Sequence, residues 1–284
     1  MRILRAVIKT FLFSFITISF YALWLGGLPG VFFSVRAARF WRNLGFRIWA
    51  KTIAAVLGIK IETQGIVPVT PFFLVANHLS YLDIIVFAAQ LDCVFVAKSE
   101  VANWPVIGLL CRSMNTIFIE RKRPGDILRV NALLEKQLLA GHSIMLFPEG
   151  TTTDGSQLLP FKSALLEPVV QARQAVSYAS LSYQVSVNEL PAAQSVCWWG
   201  EMDFLPHLFG FFQLPGCLAT VRFGAEAIAG NDRKLLAKKL HAAVKGKFIP
   251  VQFAPQLTPD LHGLSEMETE CQTMIYGPTQ RLKS

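Results

Sequence analysis

Apolar residues in this chain gather into short runs that end in polar clusters. Phe72-Phe73-Leu74-Val75-Ala76 runs into Asn77-His78-Leu79-Ser80-Tyr81-Leu82-Asp83, and Ile84 to Ala89 follows without Gly or Pro. That pattern predicts a buried strand, a polar turn and a buried helix. Two further runs end the same way: Asn115-Thr116-Ile117-Phe118-Ile119-Glu120-Arg121, and Ile144 to Phe147 ahead of Pro148-Glu149-Gly150-Thr151-Thr152-Thr153-Asp154-Gly155. Asp126 to Ala140 has helical periodicity and a stop signal at Gly141. Leu218 to Phe223 reads as a strand and Asn231 to Val244 as a basic amphipathic helix. Strands alternating with helices predict an α/β sandwich. This α/β domain is expected over residues 58–249, and the tail from Pro250 to Ser284 has no strong period and no readable role.

The first 57 residues follow a different rule. From Thr10 to Val35 there is no charged residue, and a continuous helix of that length could cross a hydrocarbon core of about 30 Å. Gly26-Gly27-Leu28-Pro29-Gly30 breaks the run, and the part before the break extends only about 24 Å as helix. Arg2, Arg5 and Lys9 precede the run, and Arg36, Arg39, Arg42, Arg47 and Lys51 follow it. Two basic flanks fit a hairpin that enters one leaflet and returns better than a single span. The second arm mixes those cations with Phe40, Trp41, Leu44, Phe46, Ile48 and Trp49, as an interfacial helix does. Residues 1–57 are therefore expected to form a membrane-anchoring helical arm. A cleaved signal peptide is the competing reading, opposed by the length of the run and by the basic, aromatic segment behind it.

Charge supports this division. Residues 1–61 hold nine Lys/Arg and no acid, so the formal net charge of +8 originates in the arm. Cations interleaved with a long apolar stretch argue for a membrane surface and against nucleic acid. The five cysteines are odd in number and form no C-x-x-C pair, which predicts reduced thiols on a cytosolic face. The scattered histidines offer no metal-binding spacing, so no metal is expected.

The candidate chemistry sits at the strand ends. His78 falls at the carboxyl end of its strand, and Asp83, about a turn into the helix, can accept a hydrogen bond from one ring nitrogen and leave the other free to take a proton. Such a pair alone is weak, because capping aspartates and hydrogen-bonded structural histidines are common. Three strand ends would bring His78 and Asp83, Arg121 and Glu149 to one edge of the sheet, where ligands bind in open α/β folds.

These stretches, with Phe95-Val96-Ala97-Lys98 and Trp104-Pro105-Val106-Ile107-Gly108, resemble in order and spacing the motifs of the glycerolipid acyltransferase family over roughly residues 70–225. The resemblance implies a mixed sheet flanked by helices and a fatty acyl transfer. The donor would be an acyl thioester, acyl-CoA or acyl carrier protein, with no bound cofactor, and the acceptor the free hydroxyl of a membrane lysolipid. His78 would be the base and Asp83 its orienter. Lys98, Arg121 and the backbone of Glu149, Gly150 and Thr151 would hold the head group. Ser80 would start the helix and not act as a nucleophile. The acceptor implied is 1-acyl-sn-glycerol-3-phosphate, giving phosphatidic acid at the cytoplasmic face of the inner membrane.

Two departures bear on that acceptor. Thr152 replaces the Arg that usually follows Glu-Gly-Thr, and the fourth motif is matched only loosely by Gln174 to Leu181. The segment Cys197 to Leu208 resembles an insertion in a bacterial subset, some of whose members acylate lyso-ornithine lipid, which makes that lipid or another lysophospholipid the alternative. A lipid hydrolase would need a nucleophile motif such as G-x-S-x-G, which the chain lacks. A non-catalytic membrane adaptor would have no use for His78, Asp83, Arg121 and Glu149 together.

Overall fold

The computed structural model describes residues 1–27, 35–104, 106–121, 123 and 125–251. Among these residues, strands β1 (Ile59–Gln64), β2 (Phe73–Ala76), β3 (Val94–Lys98), β4 (Ile117–Ile119), β5 (Ile144–Leu146), β6 (Val176–Gln184) and β7 (Cys217–Phe223) form one sheet in the order β1-β7-β6-β2-β5-β3-β4. The helices are α1 (Arg2–Gly27), α2 (Val35–Leu57), α3 (Leu82–Ala88), α4 (Ile107–Ser113), α5 (Asp126–Leu139), α6 (Glu167–Gln171), α7 (Ala192–Ser195), α8 (Phe204–Gln213) and α9 (Arg233–Lys245).

The sheet is mixed. β2 pairs in parallel with β5 and β6, and β3 in parallel with β4 and β5, while β6 and β7 run antiparallel. β2 is buried at every position, because a central strand covered on both faces must be apolar throughout. Alternation then sorts its side chains. Leu74 and Ala76 join Phe95, Met145, Ala179 and Leu181 on the face covered by α1, α2, α3, α4, α7 and α8. Phe73 and Val75 join Val94, Ile144 and Val176 on the face covered by α5, α6 and α9. Because β2 to β5 are mutually parallel, their carboxyl ends reach one edge, the edge that the strand-end pattern predicts.

Element boundaries follow local chemistry. α5 ends one residue before its expected limit, and Gly141 adopts φ +70° behind it, a left-handed turn that glycine enters without steric cost. β4 is shorter than the apolar run around it: Asn115 turns the chain with φ +56° and leaves only Ile117–Ile119 in the ladder. The loosely matched fourth motif forms most of β6, the neighbour of β2. Cys93 and Cys111 are half-buried free thiols and Cys197 and Cys217 buried ones; Cys271 and the tail from residue 252 lie outside the described residues.

The arm is bound into the protein. α1 continues through Gly26 to Gly27, and the remaining residues of the expected break, 28–30, lie outside the described set. It packs against α2, with Trp49 Nε1 donating to Thr17 Oγ1 at 3.2 Å. Near its start Arg2 pairs with Glu189 at 3.0 Å, and Lys9 Nζ donates to the carbonyls of Leu57 at 2.6 Å and Leu214 at 2.9 Å. Ser113 of α4 donates to the Tyr21 hydroxyl near its other end at 3.3 Å. α2 is two-faced: Phe46, Trp49, Ala50, Ile53 and Leu57 are core residues, whereas Phe40, Trp41, Leu44 and Ile48 are exposed.

Candidate active site

β2 ends at Ala76 and α3 begins at Leu82, so residues 77–81 form the turn on the ligand edge. Asn77 anchors it. Its side chain donates to the Leu181 carbonyl at 2.9 Å and accepts from the Leu181 amide at 2.8 Å, as another strand residue would. His78 follows, with Nδ1 2.7 Å from Asp83 Oδ2. The same carboxylate oxygen accepts the amides of Leu79 at 2.7 Å and Ser80 at 3.1 Å, so the first turn of α3 closes onto its own aspartate.

The imidazole is held on several sides. The Phe147 ring stacks on it with centroids 4.1 Å apart and planes 11° from parallel. Its amide donates to Glu149 Oε1 at 3.3 Å, and its carbonyl accepts from the Thr153 amide at 3.0 Å. With Nδ1 committed to a carboxylate, the proton belongs on Nδ1 and Nε2 is left as an acceptor. His78 forms part of a cavity wall, so that lone pair has a substrate space to work in.

The cavity measures about 400 Å³. Phe13 of α1 and Trp49 and Leu57 of α2 line one part, and Trp104, Trp198 and Phe204 another. An apolar chamber of this size suits a fatty chain. Lys98, Arg121, Thr151 and Thr152 supply polar wall. Arg121 stands at the exposed rim, while Lys98 pairs with Glu100 Oε1 at 2.8 Å.

Of the Glu149-Gly150-Thr151 run, only Thr151 reaches this wall; Thr152 stands beside it. Gly150 lies behind with φ +71°, and a β-carbon there would stand 2.9 Å from Lys162 Nζ. Glu149 is 2% exposed, and its side chain engages the His78 backbone. Ser80 is also buried, and its hydroxyl has no partner among the described residues. Among the described residues no base contacts it. Its carbonyl, which accepts the Asp83 amide at 3.1 Å, begins α3.

Burial pushes the Glu149 carboxyl up to about 8, the charge of Asp83 adding to the rise and the amides of His78 and Leu159 opposing it. A raised carboxyl costs stability as pH climbs, since the unfolded chain releases its proton near the ordinary value of 4.5 and the folded protein only near 8. The loss can reach about 1.4 kcal/mol per pH unit across that window. Glu149→Gln keeps an oxygen for the His78 amide and carries no proton to release. The melting temperature of the parent is expected to fall relative to this variant between pH 5 and pH 8. Parallel melting curves would show that Glu149 is ionised inside the fold.

Sequence reasoning passed over Tyr183. This β6 residue is 1% exposed and donates its hydroxyl to Asp83 Oδ1 at 2.8 Å. The available signal was a phenol at the inward position of a strand whose other inward residues, Ala179 and Leu181, are apolar. A buried phenol must find an acceptor.

A family model described as Acyltransferase matches residues 58–187. The chain is similar to the lyso-ornithine lipid O-acyltransferase of Brucella abortus, with 32% identity over 79% of this chain and 89% of that protein. It is also similar to the 1-acyl-sn-glycerol-3-phosphate acyltransferase of Neisseria meningitidis, with 30% identity over 72% of this chain and 80% of that one. Its fold resembles the crystal structure of the 1-acyl-sn-glycerophosphate acyltransferase of Thermotoga maritima, with a TM-score of 0.64 at 20% identity over 87% of this chain and 96% of that one.

Proposed function

This chain belongs to the acyltransferase family, and from that premise we propose that His78 and Asp83 drive transfer of a fatty acyl group from acyl-CoA or acyl carrier protein to the hydroxyl of a zwitterionic lysolipid, lyso-ornithine lipid. His78 Nε2 takes the proton of the acceptor hydroxyl as its oxygen attacks the thioester carbonyl. The tetrahedral adduct then collapses, the carbon–sulfur bond breaks, and the proton passes from Nε2 to the departing thiolate. Asp83 holds the ring and balances its transient positive charge. The acyl group never rests on the protein.

The head-group wall carries the choice of acceptor. Among the described residues its charged side chains are Lys98, Glu100 and Arg121. Lys98 is already paired with Glu100, and Thr152 occupies the wall where the related motif has an arginine. Among the described residues two cations share one carboxylate, Glu100, whose charge also reaches Arg121, and the single net positive charge left suits a head group with a single carboxylate and an ammonium. It is a poor match for a phosphate monoester, which carries between one and two negative charges near neutral pH. The named activity of the Brucella relative supports the same reading. 1-Acyl-sn-glycerol-3-phosphate is the second reading, favoured by the position of Arg121 and by the named activity of the Neisseria relative.

Competition between the two lysolipids at equal concentration, with labelled donor, is expected to favour lyso-ornithine lipid; a preference for the phosphate would reverse the assignment. Thr152→Arg should move the ratio toward the phosphate by about tenfold or more, the size of one charge-assisted hydrogen bond. Arg121→Ala should raise the acceptor KM and leave the donor KM nearly unchanged, with partial rescue by Lys, which cannot make the forked contact. Release of free fatty acid without acceptor would indicate a hydrolase.

The arm supports attachment from one side of the bilayer, at the cytoplasmic face. α1 is apolar enough to cross a membrane, yet Arg2, Lys9 and Tyr21 tie it to the catalytic domain near both ends. Its exposed Phe11, Phe15 and Ile18 and the exposed Phe40 and Trp41 of α2 would enter a single leaflet. Protease mapping should find Met1 and the catalytic domain on the same side; an N-terminus on the opposite side would establish a full span.

A further inference from the structure

β6 outruns β2. The parallel register ends at Ala76 opposite Ala179, while β6 continues to Gln184, so its last residues flank the turn that carries His78. Two contacts join them. Leu181 clasps Asn77 through its backbone, and Tyr183, two residues on and on the same strand face, reaches the underside of the turn. We propose that Tyr183 is a positioning residue of the acyl transfer, acting through Asp83 to hold His78 in its working orientation. This rests on the reading of His78 as the base.

The geometry divides the labour of the Asp83 carboxylate. Oδ2 serves the His78 ring and the amides of Leu79 and Ser80. Oδ1 accepts from Tyr183 at 2.8 Å. Asp83 is fully buried, so a charge on it depends on the donors around it. Loss of the phenol would remove one of them and free the carboxylate to rotate about its last torsion, letting the 2.7 Å contact with Nδ1 drift. Burial drives the Tyr183 hydroxyl well above its ordinary range, with the charge of Asp83 adding to the rise, so it remains a neutral donor through the working pH. A phenylalanine would fill the same buried core space without leaving an unpaired donor. The hydroxyl is therefore needed for Asp83 and not for packing.

Tyr183→Phe is expected to lower kcat about 10–100-fold, the scale of one hydrogen bond to a charged group, with both KM values within about twofold of the parent. The same substitution made in Asp83→Asn should change the residual kcat by less than about twofold, because residues that act through one another are not additive. A merely structural tyrosine would show the same loss in both backgrounds. A kcat for Tyr183→Phe within about twofold of the parent, or equal losses in the two backgrounds, overturns the proposal. Should Tyr183→Phe melt well below the parent, 3-fluorotyrosine installed at position 183 keeps the ring and changes the acidity of its hydroxyl. An altered kcat at constant KM then carries the proposal, and an unchanged kcat overturns it. His78→Ala assayed alongside separates the premises: a loss there with no effect at Tyr183 defeats this inference alone, whereas a retained rate defeats the assignment of the base.

Discussion

Alanine in place of His78 lowers turnover about 10²–10⁴-fold, the range expected when a general base is lost. The protein should still fold, because the ring is 18% exposed and the surrounding turn is held by other groups. Asn77 keeps its clasp on Leu181, and Asp83 keeps the amides of Leu79 and Ser80. The acceptor hydroxyl would then have to lose its proton to water inside an apolar chamber. Asp83→Asn should be nearly as damaging for a different reason. An amide oxygen in the place of Oδ2 can still accept from Nδ1 and from the Leu79 and Ser80 amides, with its NH2 turned toward Tyr183, but it brings no charge to balance the imidazolium. A purified His78→Ala protein with the parent's thermal midpoint and more than about half of its rate in a chemistry-limited assay would end the assignment of His78 as the base.

How much of this site could be read from residues alone depended on distance along the chain. The His78–Asp83 contact spans five residues, and a short apolar run followed by a polar turn places both groups without knowledge of the rest of the fold. The shared edge was legible for a similar reason, since successive parallel strands carry their ends to one side. Tyr183 meets Asp83 across 100 residues, and its role depends on β6 lying beside β2, a pairing that no local pattern specifies. Glu149 was legible as a motif residue but not in its direction. Strand alternation breaks down in the loop after β5, so it is the folded loop that turns its carboxylate back to the His78 amide. In the arm the difficulty was physical. An apolar helix surface reads the same whether it meets lipid or protein, and α2 uses Phe46, Trp49, Ile53 and Leu57 for the core and Phe40, Trp41 and Ile48 for the outside. Its cations gave the interfacial character, and its buried stripe was hidden among residues suited to either role.

That double use sets the expected result of removing residues 1–57. If the arm were only an anchor, the remaining chain would be a soluble enzyme able to work on micellar lysolipid. The packing points the other way. Truncation removes Phe46, Trp49, Ala50, Ile53, Ala54 and Leu57 from the core cluster that also holds α3 and the inner face of β6, and it takes Phe13, Trp49 and Leu57 out of the cavity wall. Phe211 and Phe212, buried in α8, would lose the cover of α1, against which Phe212 packs with ring centroids 5.8 Å from Phe13. Deleting one large buried side chain commonly costs about 2–5 kcal/mol, and a domain has only about 5–15 kcal/mol to lose. The truncated protein is therefore expected to leave the membrane fraction as aggregate, to elute in the void volume even in detergent, and to show no acyl transfer to micellar acceptor. A monodisperse truncated protein with more than about a tenth of the parent kcat would establish the arm as a detachable anchor, and the chamber next to His78 would then have to be closed by the catalytic domain alone.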